Sequence, residues 1–367
     1  MPTDAVSGPL LRMLFRFLLL AAALAGVAVT VMPALSGDIW WIRYLDFPRL
    51  QFFLVMLATV LLLLFLPGKG WSEWALLAAL SAACAYDASV LARYAPLIKG
   101  GQVSAACPAD ARLRVLEANV QMTNRHDDRL LRMVQEADPD LAWFQETDRW
   151  WEQELAPLAQ SMPFKAAQPQ SNYYGVLLLS KLRLDGPRVR DLTGSHNPAV
   201  FTGAVMPSGQ AISLYAIHPR PPQVGQSTAE RDAQIMAAAL AARDDAAPHV
   251  IMGDLNAVPW ETVARLLHRV ARVLDPREGR GLHTTWKAGN PVLRWPLDHI
   301  LAGPEFQVLS LRVLPAFGSD HQPYLAELCL DPAGASGRAA PELRPGDLAA
   351  AQAAVQRGMA RSAGMGR

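Results

Sequence analysis

Cysteine is scarce in this chain: three residues in 367, Cys84, Cys107 and Cys329. No two of them stand in a CxxC or other zinc spacing, which argues against a structural zinc site. An excess of one charge is missing too. Lys and Arg total 34 against 33 Asp and Glu, for a net charge of +1. A chain so balanced carries no global basic field of the kind that announces nucleic acid. Charged residues of any sign make up only 18%, against 51% hydrophobic, and the mean hydropathy is +0.12. That is too apolar for an average soluble protein and too polar for a pure transporter.

The apolar residues concentrate in the first quarter. Phe17 to Ser36 carries no charge and follows Arg12 and Arg16. Leu50 to Leu66 is a second run, closed by Pro67-Gly68, and Trp74 to Ala92 is a third, with one charge at Asp87. A helix rises about 1.5 Å per residue and the hydrocarbon core is roughly 30 Å thick, so each run is expected to span or nearly span a bilayer. Trp40, Trp41, Tyr44, Trp71 and Trp74 fall at the edges, where interfacial aromatics belong. A lone first run would read as a signal peptide; a second directly after it argues for retention. Asp87 reads as a tolerated or helix-packed polar group with no convincing partner in these segments. Three spans, at about 17–36, 50–66 and 74–92, put the remainder opposite the N-terminus. Basic flanks decide the side poorly: Arg12, Arg16 and Lys69 on one face, Arg43, Arg49, Arg93 and Lys99 on the other.

Residues 93–111, with Pro96, Pro108 and Gly100-Gly101, read as a linker. Residues 112–330 are enough for one core. Strand patterns fall at 112–120, 141–145, 173–180, 199–205, 210–217, 249–254, 295–301, 308–314 and 323–330. Helical patterns fall at 125–137, 228–243 and 259–270. Hairpins mixed with helices predict a layered α/β domain with largely antiparallel or mixed sheets. Residues 331–367 turn to Pro, Gly, Ala and Arg and read as a solvated, disordered tail, with a short helix conceivable at 345–358.

The stretch His249-Val250-Ile251-Met252-Gly253-Asp254-Leu255-Asn256 is the most informative. A buried strand would deliver Asp254 and Asn256 at its exit, an acid and an amide suited to aligning a water. By itself this is equally an Asx turn. Other strand ends, however, carry isolated polar residues as well: Asn119, Glu146, His218, Asp298, Asp320 and His321.

Five motifs then occur in order: Asn119-Val120-Gln121, Gln145-Glu146-Thr147, Gly253-Asp254-Leu255-Asn256, Leu297-Asp298-His299-Ile300 and Gly318-Ser319-Asp320-His321-Gln322-Pro323. Together they resemble the endonuclease/exonuclease/phosphatase superfamily, the fold of pancreatic deoxyribonuclease, apurinic endonucleases, sphingomyelinases and inositol polyphosphate phosphatases. The resemblance covers roughly 112–330. It implies a four-layer α/β/β/α sandwich and divalent-metal-dependent phosphoester hydrolysis, with Mg²⁺ as the expected ion and Mn²⁺ as its substitute. Phosphodiesters resist water because anionic charge repels the nucleophile, so a site needs a cation, a base and support for the leaving oxygen. By resemblance, Glu146 is a metal ligand, with Asn119 near metal and phosphate and Asp320 at a second metal or beside His321. Asp254 orients or deprotonates the water, and Asn256 holds the phosphate or Asp254. His321 touches the phosphate while Asp298 fixes its ring. His218 matches a second histidine of the deoxyribonuclease- and sphingomyelinase-like branches, an acid near the leaving group. Gln121 departs from the Asp or Asn of many members. Asn172, Tyr173 and His196 are further candidates for the cleft wall.

In the implied fold the first and last strands are antiparallel neighbours, which would bring Cys107 and Cys329 together; two unrelated thiols are the alternative. A disulfide would place the domain outside the cytoplasm, in a bacterial-type inner membrane. Substrate is open between nucleic acid, tracked by basic residues such as Arg183, Arg188, Arg190 and Arg220, and phospholipid headgroups. No inserted aromatic hairpin of the sphingomyelinase kind stands out. The competing function is a non-catalytic membrane protein whose α/β domain binds a partner.

Overall fold

A computed structural model describes residues 7–35, 37–96 and 107–365. The early apolar runs become α1 (Ser7–Val31), α3 (Arg49–Leu64) and α4 (Trp71–Ala92), with a short α2 (Trp40–Tyr44) between the first two. α1, α3 and α4 pack together through Leu19, Ala23, Met56, Leu63, Leu77 and Leu80. Their outer faces stay apolar, with Phe17, Leu24, Leu54, Val55, Leu61 and Leu62 exposed. Among the described residues two helices, α1 and α4, are long and apolar enough to cross a membrane. α3 has 16 residues, about 24 Å of helix, and falls short of the roughly 30 Å hydrocarbon core. The expected three spans are thus two by length. Asp87 also departs from expectation. The guanidinium of buried Arg49, in the first turn of α3, pairs with both Asp87 and Asp46, and Thr30 Oγ1 donates to Asp87 at 3.5 Å. Sequence distance conceals such a partner because it arrives from another helix.

The remainder forms eleven strands among the described residues. They are β1 (Arg112–Asn119), β2 (Leu141–Gln145), β3 (Phe164–Gln168), β4 (Val176–Ser180), β5 (Leu184–Asp191), β6 (Pro198–Val205), β7 (Ala211–Ala216), β8 (His249–Asp254), β9 (Asp298–Ala302), β10 (Phe306–Val313) and β11 (Tyr324–Leu330). One sheet runs β10-β11-β1-β2-β4-β3 and the other β5-β6-β7-β8-β9. The β1–β2 and β7–β8 pairs are parallel and the rest antiparallel, so both sheets are mixed. Their inner faces meet through Leu113, Val115, Trp143, Leu214, Val250 and Met252. Against the outer face of the six-stranded sheet lie α5 (Asp127–Ala137) and α6 (Arg149–Glu154), packing Leu130, Val134 and Trp151 on Leu116, Ala118 and Phe144. Against the other lie α7 (Ala229–Arg243), α8 (Thr262–Ala271) and α9 (Asp347–Met365), packing Ile235, Leu267 and Ala351 on Ile251, Tyr215 and Leu301. The layers are α/β/β/α. Strands buried on both faces read as continuous apolar runs, which is why β1, β2 and β8 stand out in the sequence.

Side chains alternate across a strand, and this alternation assembles the site. On β8, Asp254 shares the inner parity of Val250 and Met252. On β1, Asn119 shares that of Leu113 and Val115. On β9, Asp298 shares that of Ile300, and it pairs directly with Asp254. All three polar residues therefore face inward at one end of the sandwich.

The C-terminal segment corrects its expected disorder. α9 lies on α7 with Ala351 and Ala354 buried, and Asp347 pairs with Arg269 at 2.7 Å. Its alanines read as low complexity but give a narrow surface that packs closely. Cys107 and Cys329 form a disulfide with Cα atoms 6.0 Å apart; Cys329 sits opposite Arg112 in the β1–β11 ladder. Most of the linker's interior, including Lys99 and Gly100-Gly101, lies outside the described residues.

Candidate active site

The strand ends converge on a cleft of about 510 Å³ lined by Glu146, His218, Asp254, Asn256, Asp320 and His321, among others. Asn119 and Asp298 stand just behind this lining. Asn119 Nδ2 donates to Glu146 at 3.0 Å and to Asp254 at 3.2 Å, joining the two sheets. Asp298 accepts from His321 Nδ1 at 2.9 and 3.2 Å. His321 Nε2 lies 3.5 Å from Asp254, and His218 Nε2 lies 3.8 Å from the same oxygen. All eight residues singled out in the sequence thus meet in one constellation. Asn172 and Tyr173 also line the cleft. His196 does not; it is exposed on the loop after β5, its amide bonded to Asp191.

Tight backbone turns aim these groups. Gln121, Glu146 and Asn256 all adopt positive φ, at 54°, 58° and 49°. Such outliers are held only where surroundings over-determine them. Gly253 has φ 137°, and a Cβ there would lie 1.9 Å from the Ile217 carbonyl oxygen. Only glycine lets β8 approach β7 this closely at the step before Asp254. Asn256 is fixed twice more: its amide nitrogen donates to the Asp254 carboxylate at 2.9 Å and its side chain to the Pro219 carbonyl at 3.0 Å. Gln121, the departure from the family pattern, accepts from the Asp320 amide at 3.1 Å. Asp320 in turn accepts from Trp286 Nε1 at 2.9 Å.

Burial sets the charges. Desolvation alone would lower the His321 imidazole, but Asp298 and Asp254 outweigh it and push it up to about 10. His321 is therefore an imidazolium at neutral pH. Burial, followed by the neighbouring charge of His321, pushes His218 down to about 3. Of the two histidines that face Asp254, His321 is the one whose surroundings favour a charged ring. Burial raises Asp254 to about 7, with Asp298 adding to the rise and His321 opposing it. Burial likewise raises Glu146, opposed by its bonds from Asn119 and Met122.

Around this single imidazolium stand Glu146, Asp254, Asp298 and Asp320. The excess of carboxylate would repel a phosphate unless a cation joined it. Asp254, Asp298 and His321 bring potential ligand atoms within 4.8 Å of one another, yet both Asp298 oxygens already hold His321. Glu146, Asn119 and Asp320 offer hard oxygen donors outside that chain. Hard oxygens of this kind are the donors a small divalent ion takes, with waters and substrate oxygens completing its shell.

Some residues escaped sequence reading. Glu117, on the inner face of β1, is fully buried. Desolvation, and then the charge of Asp298, pushes its carboxyl well above the usual range. Its signal was an acid inside an apolar strand. Arg231 on α7 donates to the Asn256 carbonyl at 2.9 Å and pairs with Asp232 and Glu261. Arg277 donates to His299 Nδ1 at 2.7 Å and to the Asp298 carbonyl at 3.3 Å. Tyr44 and Phe47, from the segment between α1 and α3, form part of the cleft wall. Nothing in the sequence linked these residues to the site.

An α/β/β/α sandwich carrying an Asp–His pair, a second histidine and oxygen donors at its strand ends defines a class of phosphoesterase and nuclease folds. The chain belongs to the Endonuclease/Exonuclease/phosphatase family, whose model matches residues 116–321. Among solved structures it is similar to D. rerio TDP2 complexed with single-strand DNA product, at 16% identity and TM-score 0.52, over 59% of this chain and 99% of that one. A humanized D. rerio TDP2 gives 17% and 0.51 over 59% and 99%. The human Nocturnin catalytic domain with bound sulfate gives 16% and 0.50 over 61% and 96%. These likenesses show the fold. No curated protein matches the chain.

Proposed function

We propose that this protein is a membrane-anchored, divalent-metal-dependent phosphoesterase, acting most naturally on phosphodiesters. The observation that carries the reading is Asp254. It sits at hydrogen-bond range of Asn119, beside the His321–Asp298 pair, at the floor of an open cleft. Glu146, Asn119 and Asp320 would hold Mg²⁺, or Mn²⁺ in its place. When bound, the ion supplies electrostatic neutralisation of phosphoryl oxygens. The chain's own residues do the rest. Asp254 aligns a water and accepts its proton. Asn256 holds a phosphoryl oxygen through its amide. His321, kept charged by Asp298, donates to the phosphate and on to the leaving oxygen.

Anchoring is supported by burial: only 22% and 28% of the apolar windows of α1 and α4 are buried, unlike a soluble core helix. α3, shorter than the hydrocarbon core, would be carried in the bilayer by the packed core it shares with α1 and α4. The Cys107–Cys329 disulfide supports a catalytic domain outside the cytoplasm.

The test uses the full chain and bis(p-nitrophenyl) phosphate. Hydrolysis should require Mg²⁺ or Mn²⁺ and vanish with EDTA, and Asp254→Asn should lower kcat/KM by about 10³-fold or more. Absence of metal-dependent hydrolysis, or an unchanged Asp254→Asn enzyme, overturns the assignment.

A further inference from the structure

The cleft is built partly from the segment that joins two apolar helices. α1 ends at Val31 and α3 begins at Arg49; Tyr44 and Phe47, between them, line the cleft. The end of α4 meets the same side of the domain: the Arg93 carbonyl accepts from the Gly279 amide at 2.7 Å, and the Tyr94 ring lies 5.8 Å from that of Trp260. Trp260 Nε1 donates to the Asp46 carbonyl at 2.7 Å. The helix ends and the cleft therefore share one face of the domain.

Two loops of the cleft wall are tied to this region, one to the segment between α1 and α3 and one to the first turn of α3. The loop that supplies Pro221, Pro222 and Gln223 to the cleft is bridged to the interhelical segment at Ser227–Ile39. At its tip Val224 is 81% exposed. The loop that supplies Trp286 is tied to α3, where Gln51 Nε2 donates to the Val292 carbonyl at 2.5 Å. At that tip Val292 and Leu293 are 63% and 46% exposed. Ile39 and Trp41, on the segment between, are exposed as well. These exposed side chains lie on segments tied to the first turn of α3 at Gln51 and to the interhelical segment at Ile39. An exposed apolar rim continuous with membrane-crossing helices has a lipid interface as its natural cover.

The cleft lining points the same way. Tyr44, Phe47, Pro221, Pro222, Trp286 and Leu297 make an apolar wall, and among the described residues no lysine or arginine lines it. A nucleic acid would require cations to meet its successive phosphates. Of the basic residues considered for that task, Arg220 stacks over Tyr174 at 5.4 Å and pairs with Glu230 at 3.5 Å. Arg188 and Arg190 face a separate depression on β5.

Resting on the phosphoesterase reading above, we infer that the substrate is the headgroup phosphodiester of a phospholipid in the protein's own bilayer, with Val224, Val292 and Leu293 seated in the interface around the cleft mouth. The chemistry is a plain hydrolysis. A water oxygen bonds to phosphorus and one ester P–O bond breaks. One water proton goes to Asp254, and the departing alkoxide takes a proton from His321. The products are a phosphomonoester and an alcohol, with no co-reactant beyond water.

The test reconstitutes the full chain into vesicles of phosphatidylethanolamine and phosphatidylglycerol with Mg²⁺. Three substrates are followed: the vesicle lipid by ³¹P NMR, bis(p-nitrophenyl) phosphate, and a single-stranded oligonucleotide. Wild type should release a phosphomonoester from the lipid. The triple variant Val224→Asp, Val292→Asp, Leu293→Asp should lose lipid turnover by 10-fold or more while cleaving the soluble diester within 2-fold of wild type, because none of the three side chains lines the cleft. As a readout independent of turnover, a nitrobenzoxadiazole label on Leu293→Cys should shift to the blue in vesicles. Soluble diester cleavage without lipid cleavage overturns this inference alone, as does lipid turnover indifferent to the triple variant. An unshifted label, or an oligonucleotide strongly preferred over lipid, overturns it too. Failure on all three substrates removes the phosphoesterase reading and this inference with it.

Discussion

His321 lies between two carboxylates, and that position decides its charge. Asp298 bonds one ring nitrogen and Asp254 faces the other. Together they hold the imidazole up at about 10 against the opposing effect of burial. The sign of a substitution follows. Asp298→Asn removes one of the two attractions, so the His321 pKa falls toward its ordinary value of about 6.5. If the imidazolium is the working form, activity is retained on the acid side and lost as pH rises through the lowered pKa. We expect a pH–rate profile whose alkaline limb moves down by one unit or more, with kcat reduced about 10²-fold; an unmoved limb would contradict the assignment. Asp254 was legible because it ends an apolar run, and Asp298 and His321 because each stands isolated at the entry to one, where a polar side chain is conspicuous. Their charges were not. Burial and the neighbouring charge of His321 push His218 down, and neither cause is visible in a sequence pattern.

At the scale of elements, support for the site comes from pairs that sequence distance hides. Arg277 and Asp275 form a buried ion pair at 2.8 Å, and Arg277 reaches across to the backbone at the entry to β9, at Pro296 and Asp298. Arg277→Met leaves Asp275 buried without its partner. The expected cost is about 3–5 kcal/mol, visible as a lower thermal midpoint in detergent; a shift close to zero would mean the pair is not the support of β9. The disulfide ties the entry to β1 to the end of β11. Cys329→Ser should cost about 2–4 kcal/mol, and adding reductant to the wild type should reproduce that loss in the same melt. The central strands were legible as runs buried on both faces. β3 and β5 were not. β5 reads Leu184-Asp185-Gly186-Pro187-Arg188-Val189-Arg190-Asp191, turn residues and charges that suit a loop. It is an exposed edge strand, and edges carry proline and charge because these discourage pairing with other chains. α9 was misread for the opposite reason: alanine alone gives no periodic signal, and only α7 supplies its partner surface.

On the scale of the whole molecule, helices and sandwich are joined by more than a tether. Phe47, Val90 and Tyr94 share a core with Val258, Trp260, Trp295 and Leu297, and Arg43 pairs with Asp232 at 2.5 Å. A chain beginning at residue 107 would uncover that apolar surface and lose the Tyr44–Phe47 wall. We expect it to aggregate or elute as an oligomer in size-exclusion chromatography without detergent, where a clean monomer would show the interface to be dispensable. The disulfide gains a different meaning here. The chain passes from α4 into the sandwich just ahead of β1, the strand that carries Asn119. A pull on that connection would ordinarily peel β1 from its free end, one ladder bond at a time. With Cys107 fastened to Cys329, the force is passed to β11 instead, and the two strands must be sheared along their length together. The staple thus spreads a pull over two strands, sparing β1, which positions Asn119, from opening at its end.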